Sequence, residues 1–189
     1  MDQMKLRLPR TMLMSLASMI ITVGIGYPLG ISAARHQGKW QDYGVMGASM
    51  VLVSAPGFWV SLMAVIIFSV KLGWLPSHGI GGLRYYILPV VTGAIGGIAG
   101  NARQARSAML EVIRADFVTT ARAKGQKEDV IVKKHMLPNA MMPLITMLGG
   151  RFAHLVSGQT ITERLFAIPG VGLYLLNGIT YRDYPIVRS

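Results

Sequence analysis

Cysteine is absent from the 189 residues, which excludes disulfides, thiolate metal sites and thiol nucleophiles. Charge is scarce as well. Only 14% of residues are charged and 52% are hydrophobic, against about 25% charged in soluble domains. Such a chain lacks the side chains needed to coat a water-exposed surface, so it reads as a membrane protein built from helices. Acids are scarcest, 8 against 19 Lys and Arg. His36, His78, His135 and His154 are scattered, with no H-E-x-x-H and no paired carboxylates, which leaves no metal site and no catalytic set. No G-x-x-x-x-G-K-[ST] occurs, so the chain binds no ATP through a P-loop.

What is present is apolar, and it comes in long runs. Thr11 to Ala34 gives 24 residues without a charge and Tyr43 to Val70 gives 28, both beyond the ~20 that cross the hydrocarbon as a helix. Pro28 falls within the first, and a bend is expected near Pro56 and Gly57 in the second. Tyr85 to Ala102 is uncharged over 18 residues, and Met141 to Thr162 forms a fourth segment, interrupted by Arg151 and His154. Together these predict an all-α, polytopic bundle with spans near 11–34, 43–70, 85–102 and 141–162. The net charge of +11 would suit nucleic acid if it formed a stripe on a soluble fold. Instead, 8 of the 19 basic residues fall between 103 and 134, which the positive-inside rule makes a cytoplasmic loop, about 103–140. By alternation 35–42 is cytoplasmic, and 71–84 and 163–189 lie outside. Lys5, Arg7 and Arg10 disagree, since they would also lie outside unless they snorkel at the interface or something normally precedes them.

The most informative stretch is a charged, glycine-punctuated island, Thr119 to Pro138, TTARAKGQKEDVIVKKHMLP. Met109, Leu110, Ile113, Phe117 and Ala121 recur at helical spacing, with Glu111, Arg114, Arg122 and Lys124 between them. That predicts one amphipathic helix running up to Lys124. Gly125 is placed to close it in the left-handed conformation, with Arg122 and Lys124 against the negative helix end. A second short helix is expected at once. Glu128 and Asp129 stand near its start, Lys133 and Lys134 near its end, and Asp129 and Lys133 are four apart. Pro138 restricts Leu137 and resets the chain direction. The element reads as a docking surface.

Its spacing resembles a family pattern. Ala121, three residues, Gly125, nine residues, His135, one residue, then Leu137 and Pro138 resemble the E-A-A-x3-G-x9-I-x-L-P loop of ABC-importer permeases. Thr119, Thr120 and His135 depart from the general consensus, yet T-A-R-A-K-G followed by H-x-L-P-N-A is similar to the peptide and nickel branch. Glu163, Phe166, Pro169, Gly170 and Gly172 fit that branch's E-x-x-F-x-x-P-G-x-G, and Arg182, Asp183, Tyr184 and Pro185 reproduce its R-D-Y-P. The resemblance covers nearly the whole chain from about Leu6 and implies a type I importer permease fold. Four spans where the family has about six make the chain read as a partial permease.

What the resemblance implies is an ATP-driven importer subunit in a bacterial or archaeal inner membrane, passing a peptide-like solute or chelated nickel. Its loop, carried here by Thr119, Thr120, Ala121, Arg122, Ala123, Lys124, Gly125, His135, Leu137 and Pro138, sits on a cytoplasmic ATPase subunit that holds the ATP, so no cofactor is expected on this chain. Further implied partners are a second permease subunit, an extracytoplasmic solute-binding protein and the lipid bilayer, with no nucleic acid. The alternative is a secondary transporter or channel with no ATPase. Arg151, costly in a hydrophobic segment, reads either as a pore-lining cation or as an inter-subunit salt bridge, and His154, three residues on, shares its face and reads as a helix-packing contact ahead of a pathway residue. Glu163 and Asp183 either steady the P-G-V-G segment or pair with Arg164 or Arg182, with surface pairing favoured.

Overall fold

The computed structural model describes the backbone of residues 2–182 and the side chains of 4–150 and 159–182. Every regular element among the described residues is helical: α1 (Asp2–Arg35), α2 (Trp40–Ser54), α3 (Gly57–Ala64), α4 (Arg84–Ile113), α5 (Asp116–Ala123), α6 (Glu128–Val130), α7 (Leu137–Leu165) and α8 (Val171–Thr180). Two wider, π-helical turns extend α3 through Val65–Lys71 and join α6 to α7 through Ile131–Met136. By length and composition α1, over Met4–Arg35, is apolar enough to cross a membrane, and α2 with α3 and its extension passes only as one broken span. The break falls at Pro56, whose own backbone is extended, φ −59 and ψ 134, ahead of α3. The third and fourth predicted segments lie within α4 and α7.

Two compact units divide the chain, one built from Met1–Ile21, Ala55–Gly96 and Phe152 onward, the other from Thr22–Ser54 and Gly97–Arg151. In the first, Met14 of α1, Leu88 and Val90 of α4, and Phe166 and Ile168 after α7 form the buried cluster. In the second, Ala34, Met109, Val118, Ala121, Ile131, Val132, Met136 and Ala140 form one cluster, and Tyr27, Ala105 and Leu144 another. The Tyr27 hydroxyl donates to the Leu144 carbonyl at 3.1 Å, so the aromatic buries its polar tip with a partner.

Small residues decide how closely α1 meets α4 in the second unit. A Cβ on Gly26 would meet Asn101 Cβ at 2.8 Å and the Ile98 carbonyl at 2.9 Å, and one on Gly30 would collide with the Ala102 carbonyl. Backbone therefore lies against backbone, the packing expected where helices gain little from excluding water.

Two sequence expectations are corrected. The amphipathic helix predicted to run to Lys124 is broken at Arg114 and Ala115. There Arg114 and Ala115 N–H groups bond the Glu111 and Val112 carbonyls, and Ala115 is extended. Asp116 then opens α5 at the positive helix end. The break changes the helical phase, so Val118 is buried while Phe117 is 43% exposed. Nor does Pro138 reset the chain. It sits in the first turn of α7, directly after the π-helical turn, whose wide ring Leu137 closes onto Val132, and Leu137 itself stays helical.

Gly30→Ala should lower the thermal unfolding midpoint of the detergent-solubilised chain, with a penalty of ~1–3 kcal/mol for overpacking. Gly24→Ala, where a Cβ meets nothing within 4 Å, should be neutral or slightly stabilising in the same melt, and equal losses would refute the close-packing account.

Candidate functional site

The Thr119 to Pro138 element belongs to the second unit, and its geometry is set first at Gly125. That residue has φ +74. Its N–H donates to the Arg122 carbonyl at 2.9 Å, and the Gln126 N–H to the Ala121 carbonyl at 3.4 Å. This pair of bonds is the Schellman closure of a helix end. No atom lies within 4 Å of where a Cβ would stand, so backbone conformation alone selects glycine here.

Beyond the glycine, Lys127 is extended, and its carbonyl accepts from Val130 and Ile131. Arg122 reaches across the turn to Glu128, with Nε to Oε2 at 3.2 Å and Nη2 to Oε1 at 2.8 Å. The forked bond holds the Glu128 carboxyl below its ordinary pKa and raises that of Arg122, while partial burial opposes both shifts. At 44% and 55% side-chain exposure the pair contributes no more than ~1 kcal/mol, so it orients the turn more than it stabilises it. His135 Nε2 and Gln126 Oε1 lie 3.1 Å apart and brace the same turn. Asp129, expected four residues from Lys133, instead lies 3.5 Å from Arg35 at the end of α1.

The element has two sides. Val118, Ala121, Ile131, Val132 and Met136 are buried in the cluster with Ala34 and Met109, and half-buried Leu137 packs against it. Outward stand Thr119, Thr120, Arg122, Ala123, Lys124, Gly125 and Pro138, with His135 half-buried. Of the residues that the sequence singles out, most are thus exposed, while Ala121 and Leu137 pack into the unit's core and His135 is half-buried.

A contact the sequence reading missed fixes the other corner of this unit. Asp42, 3% exposed at the start of α2, accepts from Arg106 Nε at 2.6 Å and Nη2 at 2.7 Å, and from the Gly38 N–H at 3.1 Å. Arg106 lowers the Asp42 pKa, burial works against that shift, and the Gly38 N–H adds to it. Arg106 is raised in turn by Asp42. The available signal was scarcity, since Asp42 is the only acid between Asp2 and Glu111.

In the first unit, Glu163 corrects an expectation. It is fully buried and pairs with neither Arg164 nor Arg182, both exposed. Thr11 Oγ1 donates to its Oε1 at 2.6 Å and the Leu173 N–H to its Oε2 at 2.8 Å, while Thr11 Oγ1 also accepts from the Val171 N–H at 3.0 Å. Its carbonyl receives the Ile168 N–H at 2.9 Å. One carboxylate therefore holds α1, the Pro169–Gly170 turn and the start of α8. A Cβ on Gly170 would collide with the Glu163 carboxylate, and one on Gly172 with Thr160, which explains both glycines of the motif. Phe166 is fully buried, and its carbonyl accepts from Gly79 N–H at 2.9 Å. Pro169 is half-buried and Arg182 exposed. Asp183, Tyr184 and Pro185 lie outside the described residues, as do the side chains of Arg151 and His154.

Residues 26–188 match the family described as binding-protein-dependent transport system inner membrane component. The chain belongs to this family. Its curated relatives include a putative peptide transport system permease protein of Brucella suis, 40% identical over 97% of this chain and 61% of the relative. The oligopeptide transport system permease protein AppB of Bacillus subtilis is 36% identical over the same shares. The glutathione transport system permease protein GsiC of Escherichia coli is 36% identical over 100% of this chain and 61% of its own. The chain thus spans about three-fifths of the length of these relatives. Among solved structures, a chain of the MetNI methionine ABC transporter superposes with TM-score 0.73 at 22% identity, covering 94% of this chain and 82% of that one. The chain therefore has the type I importer permease fold, as its motifs imply.

Asp42→Asn should destabilise the chain by about 1.5–3 kcal/mol, the worth of hydrogen bonds to a charged group, since the Arg106 side chain, 26% exposed, keeps some water when it loses its partner. The folded pKa of Asp42 is depressed, so its contribution is complete above the unfolded value near 3.8 and is lost as pH falls through the folded value. Melting midpoints should accordingly drop below about pH 4 in the natural chain, with that part of the decline missing from Asp42→Asn; identical pH profiles would count against the pair.

Proposed function

We propose that this chain is the membrane-spanning part of an ATP-driven importer, carrying a peptide-like solute and coupled through residues 119–138 to a separate ATPase. The single observation that supports it most is the two-sided docking element. Its outer ridge is exposed and polar, while its inner face is buried in the unit's own core, the construction a force-transmitting contact requires. The permease names of relatives at 36–40% identity support the solute class.

On this reading the chain is a multi-pass protein of the inner membrane, with spans near 11–34, 43–70, 85–102 and 141–162. The 35–42 and 103–140 segments face the cytoplasm. Hydrolysis belongs to the ATPase, a second permease subunit completes the path, and a binding protein delivers the solute on the other side. Arg151 and His154 are candidates for the translocation path.

Affinity capture of the tagged, detergent-solubilised chain from its native membrane tests the coupling. A P-loop ATPase should co-purify with the natural chain. Gly125→Val forces a β-branched residue into the left-handed region, at ~1–2 kcal/mol, and should lose the ATPase while still inserting into the membrane; Gly125→Asn, which tolerates that region, should keep most of it. Full ATPase recovery with Gly125→Val would sink the docking assignment.

A further inference from the structure

A cavity of about 370 Å³ opens in the second unit beside the docking element, within the ~300–1,000 Å³ range of ligand sites. Its floor is apolar, made by Ala34, Ile113, Val132 and Met136, and its rim is polar, carrying Arg35, His36, Lys39 and the Arg122–Glu128 pair. The two parts are unequal in commitment. Arg122 is held by Glu128 at 2.8 Å, whereas Arg35 makes a looser contact, 3.5 Å to the exposed Asp129, and acts on Glu128 only through space. No ion pair to Lys39 is formed among the described residues. Asp42, the nearest acid in sequence, is turned inward onto Arg106. The rim thus offers two weakly engaged cations.

Their position matters as much as their charge. Arg35 ends a 24-residue uncharged run, and Trp40 and Tyr43, next along the chain, are 77% and 71% exposed. Exposed Trp and Tyr beside Lys and Arg at the end of an apolar run mark the headgroup level of a membrane. We propose that this cavity binds an anionic phospholipid, its headgroup phosphate held between Arg35 and Lys39 and its glycerol against the apolar floor, the acyl chains leaving past Trp40 and Tyr43. The inference rests on the membrane orientation proposed above, in which 35–42 lies at the cytoplasmic surface. A lipid seated there would touch Val132 and Met136, the inner face of the docking element, so membrane composition would reach the coupling loop directly.

Native mass spectrometry of the purified full chain, titrated with dioctanoyl phosphatidylglycerol, tests this. One lipid should remain bound. Arg35→Gln with Lys39→Gln should weaken retention about thirtyfold, the effect of two cations on an anionic lipid surface. Lys133→Gln with Lys134→Gln removes the same charge from exposed positions and should leave retention unchanged, and Arg35→Lys with Lys39→Arg should restore it. Equal weakening by both neutralised pairs would overturn the site. So would equally tight binding of glycerol phosphate without acyl chains, which would make it a soluble-phosphate site. Unaltered lipid retention in Arg35→Gln with Lys39→Gln, accompanied by loss of captured ATPase, would also overturn it and give the rim to the ATPase. The lipid readout uses no ATPase, so failure of the importer reading would appear separately, as no ATPase captured by the natural chain.

Discussion

Arg106 donates two parallel bonds to the buried carboxylate of Asp42, and the corner where α1 turns into α2 depends on that fork. In a chain of low polarity a buried carboxylate is tolerated only when donors surround it, because removing it from water costs several kcal/mol per ion. Asp42 meets the condition with a guanidinium and a backbone N–H. The buried side chain of Glu163 is partnered by the Thr11 hydroxyl and the Leu173 N–H, with no ion pair to it among the described residues. With 8 acids in the chain, each buried one defines a joint, and neither joint survives as an isolated polar group. The same scarcity that marks the sequence as membrane-embedded thus makes its few acids structurally specific.

The helical class and the glycine at the centre of the 119–138 element were legible in the sequence, for a common reason. Long uncharged runs and a Gly at a helix end follow from local physics, hydrocarbon thickness in one case and the cost of left-handed backbone in the other. What was not legible depended on tertiary partners. Phe117 has the spacing of a core residue, yet the extended Ala115 hands that place to Val118. Pro138 looks like a stop, yet the π-helical turn ahead of it lets α7 continue. Glu163 sits beside Arg164 in sequence, which suggests a surface pair, but α7 directs it inward to Thr11, 152 residues away.

Glycine plays opposite parts in the two motifs. Gly125 has open space around it and an unusual backbone, so the motif there encodes a direction for the chain. Gly170 and Gly172 have ordinary backbones and no space, so the motif there encodes a close approach to Glu163 and Thr160. A shared spacing pattern therefore conceals two kinds of constraint, and substitutions at the two sites should fail for different reasons, conformational strain at the first and steric exclusion at the second.

On the proposed coupling role, the question is which contacts could carry the load. Converting a 1:99 mixture of two states to 99:1 requires ~5.5 kcal/mol of differential binding, and an element that peels away under less than this would uncouple. The Arg122–Glu128 pair is exposed and contributes ~1 kcal/mol at most, and the Schellman bonds only close a helix end. Burial is larger. Val118, Ile131, Val132 and Met136 are each at most 5% exposed, and a buried aliphatic side chain contributes ~1.5–3 kcal/mol as an upper estimate. Four of them together give ~6–12 kcal/mol at the upper estimate, the scale of the requirement. Force entering at the exposed ridge would therefore pass through these side chains into Ala34 and Met109 of α1 and α4, with the polar turn serving to aim the ridge and the apolar face to hold it.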